Sequence, residues 1–249
     1  MKEQLKDLIH HTHSLGCIDL IKVISTQAET KIEAMSEDRA VIITGTFATP
    51  VPEFAAVSPV EHTFGMPNLD KLKTIISFDN YDDSAQISVT TTQRDSVDTP
   101  TTIKFVSGTG DFVNDYRLMS KAIVEEKVKS VKFNQPPWSV EFEPTVVGIS
   151  NLKRQAQANS EETVFTIKTE NNAIKCFFGD PSTHSGNFVF AQGVPGTMTR
   201  QLAFPVKVVL AILDLVGDKK IRISDQGVAE IKVNSGSAVY TYLLPAQSK

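Results

Sequence analysis

Three histidines close to the amino terminus, in the stretch His10-His11-Thr12-His13, are the first residues whose type and spacing suggest chemistry. Imidazole nitrogen is a common zinc ligand, and residues three apart share one face of a helix, so His10 and His13 could bind the same ion. A zinc site needs further ligands, however, and no nearby carboxylate or cysteine completes the set. A solvated helix end is favoured, and we expect no metal site.

Nothing else in the chain has the pattern of a catalytic centre. The two cysteines, Cys17 and Cys176, lie far apart without a spacing motif, which is typical of small buried thiols and not of a disulfide or a thiolate metal site. The sequence contains no phosphate-binding G-x-x-x-x-G-K-[ST] loop, no nucleophile elbow and no H-E-x-x-H helix. We predict a protein that is not an enzyme and that uses no cofactor.

Basic side chains, by contrast, recur on the polar side of four segments with helical periodicity. They are Lys2, Lys6, Lys71, Lys73, Lys153, Arg154 and Lys207. The last segment, PVKVVLAILDLV, is apolar nearly all round, and only Lys207 and Asp214 interrupt it, on one stripe. Taken singly, each cation is most often a solvated side chain. Their recurrence in an acidic protein suggests a locally positive face that would meet phosphates without reading bases.

The carboxy-terminal stretch AVYTYLLPAQSK carries apolar residues almost to its end. Tyr242, Leu243, Leu244 and Pro245 form either a buried final strand or an apolar patch held out for a partner. Because side chains alternate along a strand, at least one of Tyr242 and Leu244 is expected to face the core. The residues alone leave both interpretations open.

Four helices must position these candidate residues, and each is followed by strand-type sequence. Their predicted starts lie near residues 2, 68, 146 and 205. Asn68 is a plausible cap for the second helix, and Gly16 and Gly217 are typical stops for the first and the fourth. Hairpin turns are predicted at 170–172, 225–227 and 234–236. A helix followed by antiparallel strands, repeated four times, indicates an α+β fold with the helices on one face of the sheets.

Residues 109–137 fit neither the helical nor the strand period, and they end in the break Pro136-Pro137. This segment is too long for an ordinary loop, so we assign it to a connector between two similar domains. The amino-terminal domain then covers residues 1–108, and the carboxy-terminal domain covers residues 138–249. Each domain contains two of the helix-plus-strand repeats.

Charge and hydropathy exclude several classes of protein. The 249 residues carry a formal net charge of −4, which argues against a uniformly basic nucleic-acid binder. The net charge is −6 over residues 1–130 and +2 over residues 131–249, a split that arises by chance or attracts copies of the chain head to tail. No segment resembles a signal peptide or approaches the roughly 18 apolar residues that span a bilayer. We expect a soluble cytoplasmic protein without a membrane partner.

The order of these elements, over nearly the whole chain, resembles that of the DNA sliding clamps. The likeness is clearest in three stretches: NLDKLKTIISF with the later TTIKFV, the stretch from VEFEP to CFFGD, and the stretch from FPVKVV to YTYLLP. Within the family, the sequence is similar to the clamps of T-even-like bacteriophages and to the proliferating cell nuclear antigen of eukaryotes and archaea. It departs from the eukaryotic form in its longer connector and in its strand ends, which are rich in threonine and serine.

The resemblance implies a ring-forming homotrimer of two-domain subunits that encircles duplex DNA regardless of sequence. Such a ring tethers the DNA polymerase and makes replication processive. The seven cations named above would face the DNA, and a separate clamp loader would use any ATP. If the source is a bacteriophage, this viral protein would act in the host cell cytoplasm.

The resemblance also implies two protein-binding surfaces. Partner peptides would enter a pocket with one wall made of Tyr242, Leu243, Leu244 and Pro245 and the other of Val124 and Val128. Subunits would join through edge strands, TTIKFVSG of one copy against NAIKCFFGD of the next, with interface residues Ile103, Phe105, Ile174 and Phe177. The rival interpretation is a non-catalytic structural or scaffold oligomer built from duplicated sheet domains, which would assemble without contacting DNA.

Overall fold

Four amphipathic helices lie where the sequence predicts them. The structure, a computed structural model, describes residues 1–55, 61–94, 97–130 and 134–247. Within these ranges the chain forms α1 (Lys2–His11), α2 (Leu69–Ile76), α3 (Lys121–Lys127), α4 (Val146–Ala158) and α5 (Val206–Asp214). The predicted helices are α1, α2, α4 and α5. Helix α3 lies in the segment assigned to the connector, where the sequence predicts no helix.

Local sequence explains where these helices begin and end. Asn68 caps α2, because its side-chain oxygen accepts a hydrogen bond from the backbone N–H of Lys71 at 3.2 Å. The Thr145 hydroxyl does the same for Gly148 at 3.0 Å at the start of α4. A short 3₁₀ turn after α1 ends at Gly16, whose φ of 76° is left-handed and favours glycine.

The chain divides into two compact units, each with two of the predicted helices. Unit 1 contains Met1–Glu37, Ile43–Lys132 and Ser235–Tyr240, and unit 2 contains Asp38–Ile42, Phe133–Asn234 and Thr241–Lys249. Helices α1, α2 and α3 belong to unit 1, and α4 and α5 belong to unit 2.

Unit 1 is built on two sheets. Its strands are β1 (Leu20–Ser25), β2 (Thr30–Met35), β3 (Ile42–Phe47), β4 (His62–Pro67), β5 (Gln86–Arg94), β6 (Val97–Val106) and β7 (Val113–Arg117). The first sheet has the order β4, β1, β2, β3, and residues 238–240 then add a strand beside β3. The second sheet has the order β5, β6, β7, with both pairings antiparallel. Ile21, Val23 and Phe64 are fully buried, so the first sheet carries part of the core.

Unit 2 also combines two groups of strands. They are β8 (Val140–Phe142), β9 (Val164–Glu170), β10 (Ala173–Gly179), β11 (Ser185–Gln192), β12 (Leu202–Pro205), β13 (Asp218–Ser224), β14 (Val228–Asn234) and β15 (Ala238–Pro245). One group has the order β11, β10, β9, β12, and every pairing in it is antiparallel. In the other, β13 pairs antiparallel with β8 and β14, and the later residues of β15 adjoin β14.

The predicted α+β fold, with its fourfold repeat of pattern, is confirmed. Each of α1, α2, α4 and α5 is followed in the chain by three strands, and a further strand, β4, β8 or β12, leads into each of the last three helices. The sequence predicts only two strands after each of the first three predicted helices, so it misses β2, β7 and β11. It also misses β4, β8 and β12, the strands that lead into helices. Of the segment assigned to the connector, residues 113–117 form β7, and residues 131–133 lie outside the described residues.

The predicted hairpin turns are present. Asn171 and Asn172 join β9 to β10 with φ of 50° and 58°, values that asparagine tolerates better than most side chains. Gly227 and Gly236, with φ of 88° and 86°, sit in the turns that follow β13 and β14.

Helix α3 packs directly on β4 at a glycine. Gly65 exchanges two backbone hydrogen bonds with Met119, of 2.9 and 2.8 Å. A Cβ at position 65 would lie 2.8 Å from Cγ2 of Val124 and 2.9 Å from Cβ of Met119, closer than side-chain atoms pack. The close approach of α3 to β4 therefore requires glycine at this position.

A buried ion pair fixes the chain just after α3. The Lys22 side chain is only 3% exposed, and its Nζ lies 2.5 Å from a carboxylate oxygen of Glu33. The same ammonium donates to the Ser130 hydroxyl, which in turn donates to Glu33 at 2.8 Å. A lysine this deeply buried is normally stable only when it is paired. The network holds residue 130 against β1 and β2.

We expect Gly65→Ala to destabilise unit 1 by about 1–3 kcal/mol, the usual cost of forcing an extra carbon into a packed site. Urea unfolding followed by circular dichroism measures the change in the free energy of unfolding. Val124→Ala removes the nearest methyl, so the double variant should be destabilised by less than the sum of the two single changes. Strictly additive changes, or a neutral Gly65→Ala, would contradict the packing described here.

Candidate nucleic-acid interface

Helices α1 and α2 of unit 1 lie side by side and carry four of the predicted cations. Lys2 donates to the backbone carbonyl of Tyr81, and Lys6 forms an ion pair with Glu3 at 2.9 Å on its own helix. Lys71 and Lys73 are exposed and form no ion pair with any residue in the described ranges. The positive charge available on this helix pair therefore comes mainly from α2.

A furrow of about 350 Å³ runs between α1 and α2. It is lined by Lys6, Ile9, His10, Ser14, Lys73, Ile76 and Ser77. Ile9 and Ile76 are buried, whereas Lys6 and Lys73 are exposed. The furrow thus combines apolar walls with ammonium groups at its rim, an arrangement that suits the alternating sugars and phosphates of a nucleic-acid backbone.

Helices α4 and α5 of unit 2 form the corresponding pair. Lys153 on α4 forms an ion pair with Asp214 on α5, which neutralises that lysine and ties the two helices together. Arg154 and Lys207 are exposed, and neither pairs with an acidic residue in the described part of the chain. In each of these two helix pairs, two cations therefore have no ion-pair or hydrogen-bond partner within the described residues.

The predicted cations are thus partly available and partly occupied. Lys71, Lys73, Arg154 and Lys207 are free to meet an external anion, whereas Lys2, Lys6 and Lys153 already have partners within the chain. Sequence analysis places all seven on the polar side of helices, but it cannot distinguish these two groups. The partners Glu3 and Asp214 lie on the same helix pairs and would have been the signal.

The three histidines near the amino terminus have separate roles. His10 is exposed, and its pKa lies below the ordinary 6.5, first because it is partly removed from water and then because His11 is near. His11 is buried and stacks on the Tyr240 ring at 4.5 Å. His13 makes a 2.9 Å hydrogen bond with the Ile18 carbonyl. Within the described residues, no three potential ligands meet in a metal site.

Asp7 connects α1 to the first residues of β15. Its carboxylate accepts hydrogen bonds from the Tyr240 hydroxyl at 2.7 Å and the Ser235 hydroxyl at 3.1 Å, and it lies 3.3 Å from the His11 ring. Burial alone raises the pKa of Asp7, but the hydrogen bonds from His11, Tyr240 and Ser235 outweigh it and hold the pKa below 3.8. The ionised carboxylate therefore stabilises the folded unit.

Most of the carboxy-terminal residues that were expected to line a partner site are buried. Tyr242, Leu243 and Leu244 are buried in the last strand, and of the four predicted wall residues only Pro245 is exposed. A groove of about 610 Å³ lies beside this chain end within unit 2. It is lined by Thr166, Arg200, Gln201, Leu202, Ala203, Gln226, Gly227, Ala246 and Gln247. The sequence analysis does not find this groove.

Asp225 fixes one side of that groove. It accepts hydrogen bonds from the backbone N–H of Thr199 at 3.0 Å and from the Thr199 hydroxyl at 2.9 Å, while the Arg200 guanidinium donates to its carbonyl at 3.2 Å. On the other side, Gln247 N–H donates to the Ala203 carbonyl at 2.9 Å. The backbone around the groove is therefore held in place before any partner binds.

Val124 and Val128, the predicted opposite wall, are both buried in unit 1. Val124 faces β4 at Gly65, so it cannot also be exposed to a partner. The apolar side chain that α3 exposes is Ile123, with 48% of its surface accessible. Neither Val124 nor Val128 is therefore exposed to a partner in this structure.

The prediction that TTIKFVSG and NAIKCFFGD are edge strands is wrong. These stretches form β6 and β10, and each is paired on both sides, β6 with β5 and β7 and β10 with β9 and β11. Of the predicted interface residues, Ile103, Phe105 and Ile174 are fully buried and Phe177 is half-buried. The outer strands of these two sheets are β5 and β7 in one and β11 and β12 in the other.

Comparison with known proteins identifies the fold. No family model and no curated protein matches the sequence. The structure is similar to A. fulgidus PCNA bound to the C-terminal region of FEN-1, with a TM-score of 0.69, 11% identity, and coverage of 100% of this chain and 97% of that one. PCNA of Thermococcus kodakaraensis gives 0.67 at 12% identity, covering 99% and 97% of the two chains. The proliferating cellular nuclear antigen of Entamoeba histolytica gives 0.66 at 11% identity, covering 99% and 94%.

The chain therefore has the fold of the DNA sliding clamps over its whole length. The duplicated helix-and-sheet pattern of the two units agrees with that class. Within the described residues, no helix is long and apolar enough to cross a membrane.

The Asp7 network predicts a specific response to acid. Because the folded pKa of Asp7 lies below the ordinary value of 3.8, its stabilisation is present above that value and is lost as the pH falls through the lower folded value. Asp7→Asn should therefore lower the free energy of unfolding at pH 7, and its deficit relative to the parent protein should shrink below about pH 3.8. Urea unfolding at a series of pH values measures the difference.

Tyr240→Phe is the matched control for this experiment, since it removes a single hydrogen bond and keeps the carboxylate. Its deficit at neutral pH should be smaller than that of Asp7→Asn. Equal stability of the parent protein and Asp7→Asn at pH 7 would show that the carboxylate does not stabilise the unit.

Proposed function

We propose that this protein is a sliding clamp that encircles duplex DNA and tethers the replicative DNA polymerase. The observation that carries the proposal is that each of the helix pairs α1–α2 and α4–α5 carries two cations without a partner in the described residues, in a chain with the clamp fold. They are Lys71 and Lys73 in the first pair and Arg154 and Lys207 in the second. These side chains attract phosphates without the fixed geometry that base recognition needs. The attraction is diffuse, which allows a closed ring to move along DNA.

A closed ring stays on DNA because of its topology, even when its contacts with the DNA are weak. A ring closed around DNA leaves only by opening or by sliding off an end, so it needs few cations. A polymerase bound to it is kept at high effective concentration near the primer terminus. The clamp itself is non-catalytic and binds no cofactor, and a clamp loader opens it. The bacteriophage-type clamps remain the proposed relatives, on the resemblance of the sequence alone.

The assembly we propose is a homotrimer joined through β7 and β11. Within unit 1, residues 238–240 at the start of β15 lie beside β3. The repeat makes β11 the equivalent of β3, because these are the third strands after α4 and α1. It makes β7 the equivalent of β15 in the same way, because these are the third strands after α2 and α5. A β7–β11 contact between copies would therefore repeat a pairing that the chain already makes. Val113 on β7 and Val189 on β11 are 47% and 40% exposed.

Partner proteins, including the polymerase and the loader, are proposed to bind near the carboxy terminus with a short peptide. Support comes from the groove beside Gln247, the exposed Pro245 and the exposed Ile123. The A. fulgidus PCNA structure, with the C-terminal region of FEN-1 bound, shows that such a fold binds a peptide in that protein. A few apolar anchors can carry most of the affinity of a peptide of this kind.

Replacing Lys71, Lys73, Arg154 and Lys207 together with serine should abolish retention on DNA without unfolding the protein. The log–log slope of DNA binding against salt should become shallower by about 0.9 for each phosphate that the variant no longer neutralises. Retention on nicked circular DNA and product length on a long primed template, with the matched polymerase and loader, are the measurements.

The control variant carries the same charge change at four strand lysines, Lys31, Lys104, Lys220 and Lys232. It should keep both retention and product length. A helix variant as active as the parent protein would favour the scaffold interpretation and would count against the clamp.

Val113→Asp and Val189→Asp should each convert the trimer to monomers, because an unpaired carboxylate would enter a paired strand edge. Sedimentation equilibrium gives the mass, which should fall from three chains to one. Thr91→Asp on β5, the opposite edge of the sheet that contains β7, is the control and should leave the trimer intact. A parent protein that sediments as a monomer would refute the proposed assembly.

A further inference from the structure

Among the described residues, no strand lies on the second side of β5, a position that is filled beside the equivalent strands. The first strand after each of α1, α4 and α5 is paired on both sides: β1 with β2 and β4, β9 with β10 and β12, and β13 with β14 and β8. In each case the second partner is antiparallel and leads into a helix. Within the described residues, β5 pairs only with β6 and ends its sheet.

The repeat defines what is missing at this edge. In unit 2, the strand that leads into the first helix, β8, pairs with the first strand after the second helix, β13. The equivalent in unit 1 would be a strand leading into α1 and pairing with β5. No strand of the described residues occupies this position. Three residues suffice in unit 2, where Val140–Phe142 pairs with residues 221–223.

The open position is a real groove of about 500 Å³. Its lining residues are Met1, Lys2, Glu3, Gln4, Glu53, Asp82, Asp83, Ala85 and Ile87. Ile87 belongs to β5 and Ala85 precedes it, so the groove lies beside the start of this strand. Unpaired N–H and C=O groups of an edge strand form hydrogen bonds with an added extended segment.

Charge decides which segment fits. Four carboxylates line the groove, from Glu3, Glu53, Asp82 and Asp83, and Glu3 is already paired with Lys6. The ammonium of Lys2, which donates to the Tyr81 carbonyl, keeps its charge, so the lining side chains carry a net charge of −3. Hydrogen bonds from the Ser84 hydroxyl and backbone, at 2.5 and 2.8 Å, lower the pKa of Asp82, so this carboxylate is ionised at neutral pH. A second copy of the same edge would bring four more carboxylates, and this repulsion disfavours self-pairing.

We propose that the groove beside β5 binds a short, extended, basic segment of a partner protein, which adds as an antiparallel strand along residues 86–90. Backbone hydrogen bonds to β5 supply the pairing, and lysine or arginine side chains of the segment meet the carboxylates of Glu53, Asp82 and Asp83. This inference follows from the repeat and the charge of unit 1, and it stands whether or not the protein is a clamp.

The test uses a labelled pentapeptide, acetyl-Lys-Val-Lys-Val-Lys-amide, with acetyl-Glu-Val-Glu-Val-Glu-amide as its matched control. Fluorescence anisotropy measures binding to the full chain, and amide hydrogen exchange of residues 86–90 reports whether a strand has been added. We expect the basic peptide alone to bind, with slower exchange at 86–90. Adding salt should weaken binding, because the charges that steer the peptide are exposed.

A charge-reversal variant, Glu53→Lys with Asp83→Lys, should bind the basic peptide at least about tenfold more weakly. Its control, Glu125→Lys with Glu126→Lys on α3, makes the same change in net charge away from the groove and should bind normally. Circular dichroism establishes that both variants are folded.

Each remaining outcome would overturn the proposal. Binding without slower exchange at 86–90 would mean surface attraction only, and equal binding of the acidic peptide would mean that charge does not select the ligand. Slower exchange at 86–90 that rises with protein concentration, in the absence of peptide, would assign the groove to a second copy. Absence of binding would leave β5 as an edge protected by its carboxylates.

Discussion

Backbone hydrogen bonding along strand edges is the constraint on which the rest of this structure depends. A strand whose edge has no partner exposes N–H and C=O groups that pair with any extended chain offered to them. In this protein the first strand after α1, α4 or α5 has its second edge covered by a strand that leads into a helix. The covering strand is β4 for β1, β12 for β9 and β8 for β13. The outer edges of β5, β7 and β11 fall outside this arrangement, and they are the edges at which we propose contacts with other chains.

The helices of each unit show a balance between cations and the acidic residues that neutralise them. Any of the seven basic residues can be assigned to a polar helix face from its spacing, and the structure agrees. Contacts between helices, such as the ion pair of Lys153 with Asp214, decide which of these residues remain free. The sequence of a single segment does not show such contacts. A clamp with every cation free would grip phosphates more tightly, and stronger attraction slows sliding. Partial neutralisation is therefore consistent with mobility on DNA.

The sequence predicts the elements whose signals are local. Helix periodicity, the Asn68 cap and the Asn171-Asn172 turn depend on neighbouring residues, and all are present. The strands β7 and β11 escape prediction because much of each is exposed, which leaves little apolar alternation. Edge and central strands cannot be told apart, since both β6 and β10 are rich in apolar residues and their position depends on pairing with distant strands. The choice of Ile103 and Ile174 as interface residues fails for that reason.

The segment after β7 shows how packing can prepare a binding surface. Its start is held by the Gly65–Met119 hydrogen bonds and by Val124 against β4, and residue 130 is held by the buried Lys22–Glu33 pair. Helix α3 lies between these two attachments, so Ile123 is presented on a backbone that is already ordered. A partner that uses Ile123 as an anchor then loses little conformational entropy from this side on binding. The burial that makes Val124 unsuitable as a contact residue is thus what positions the residue next to it.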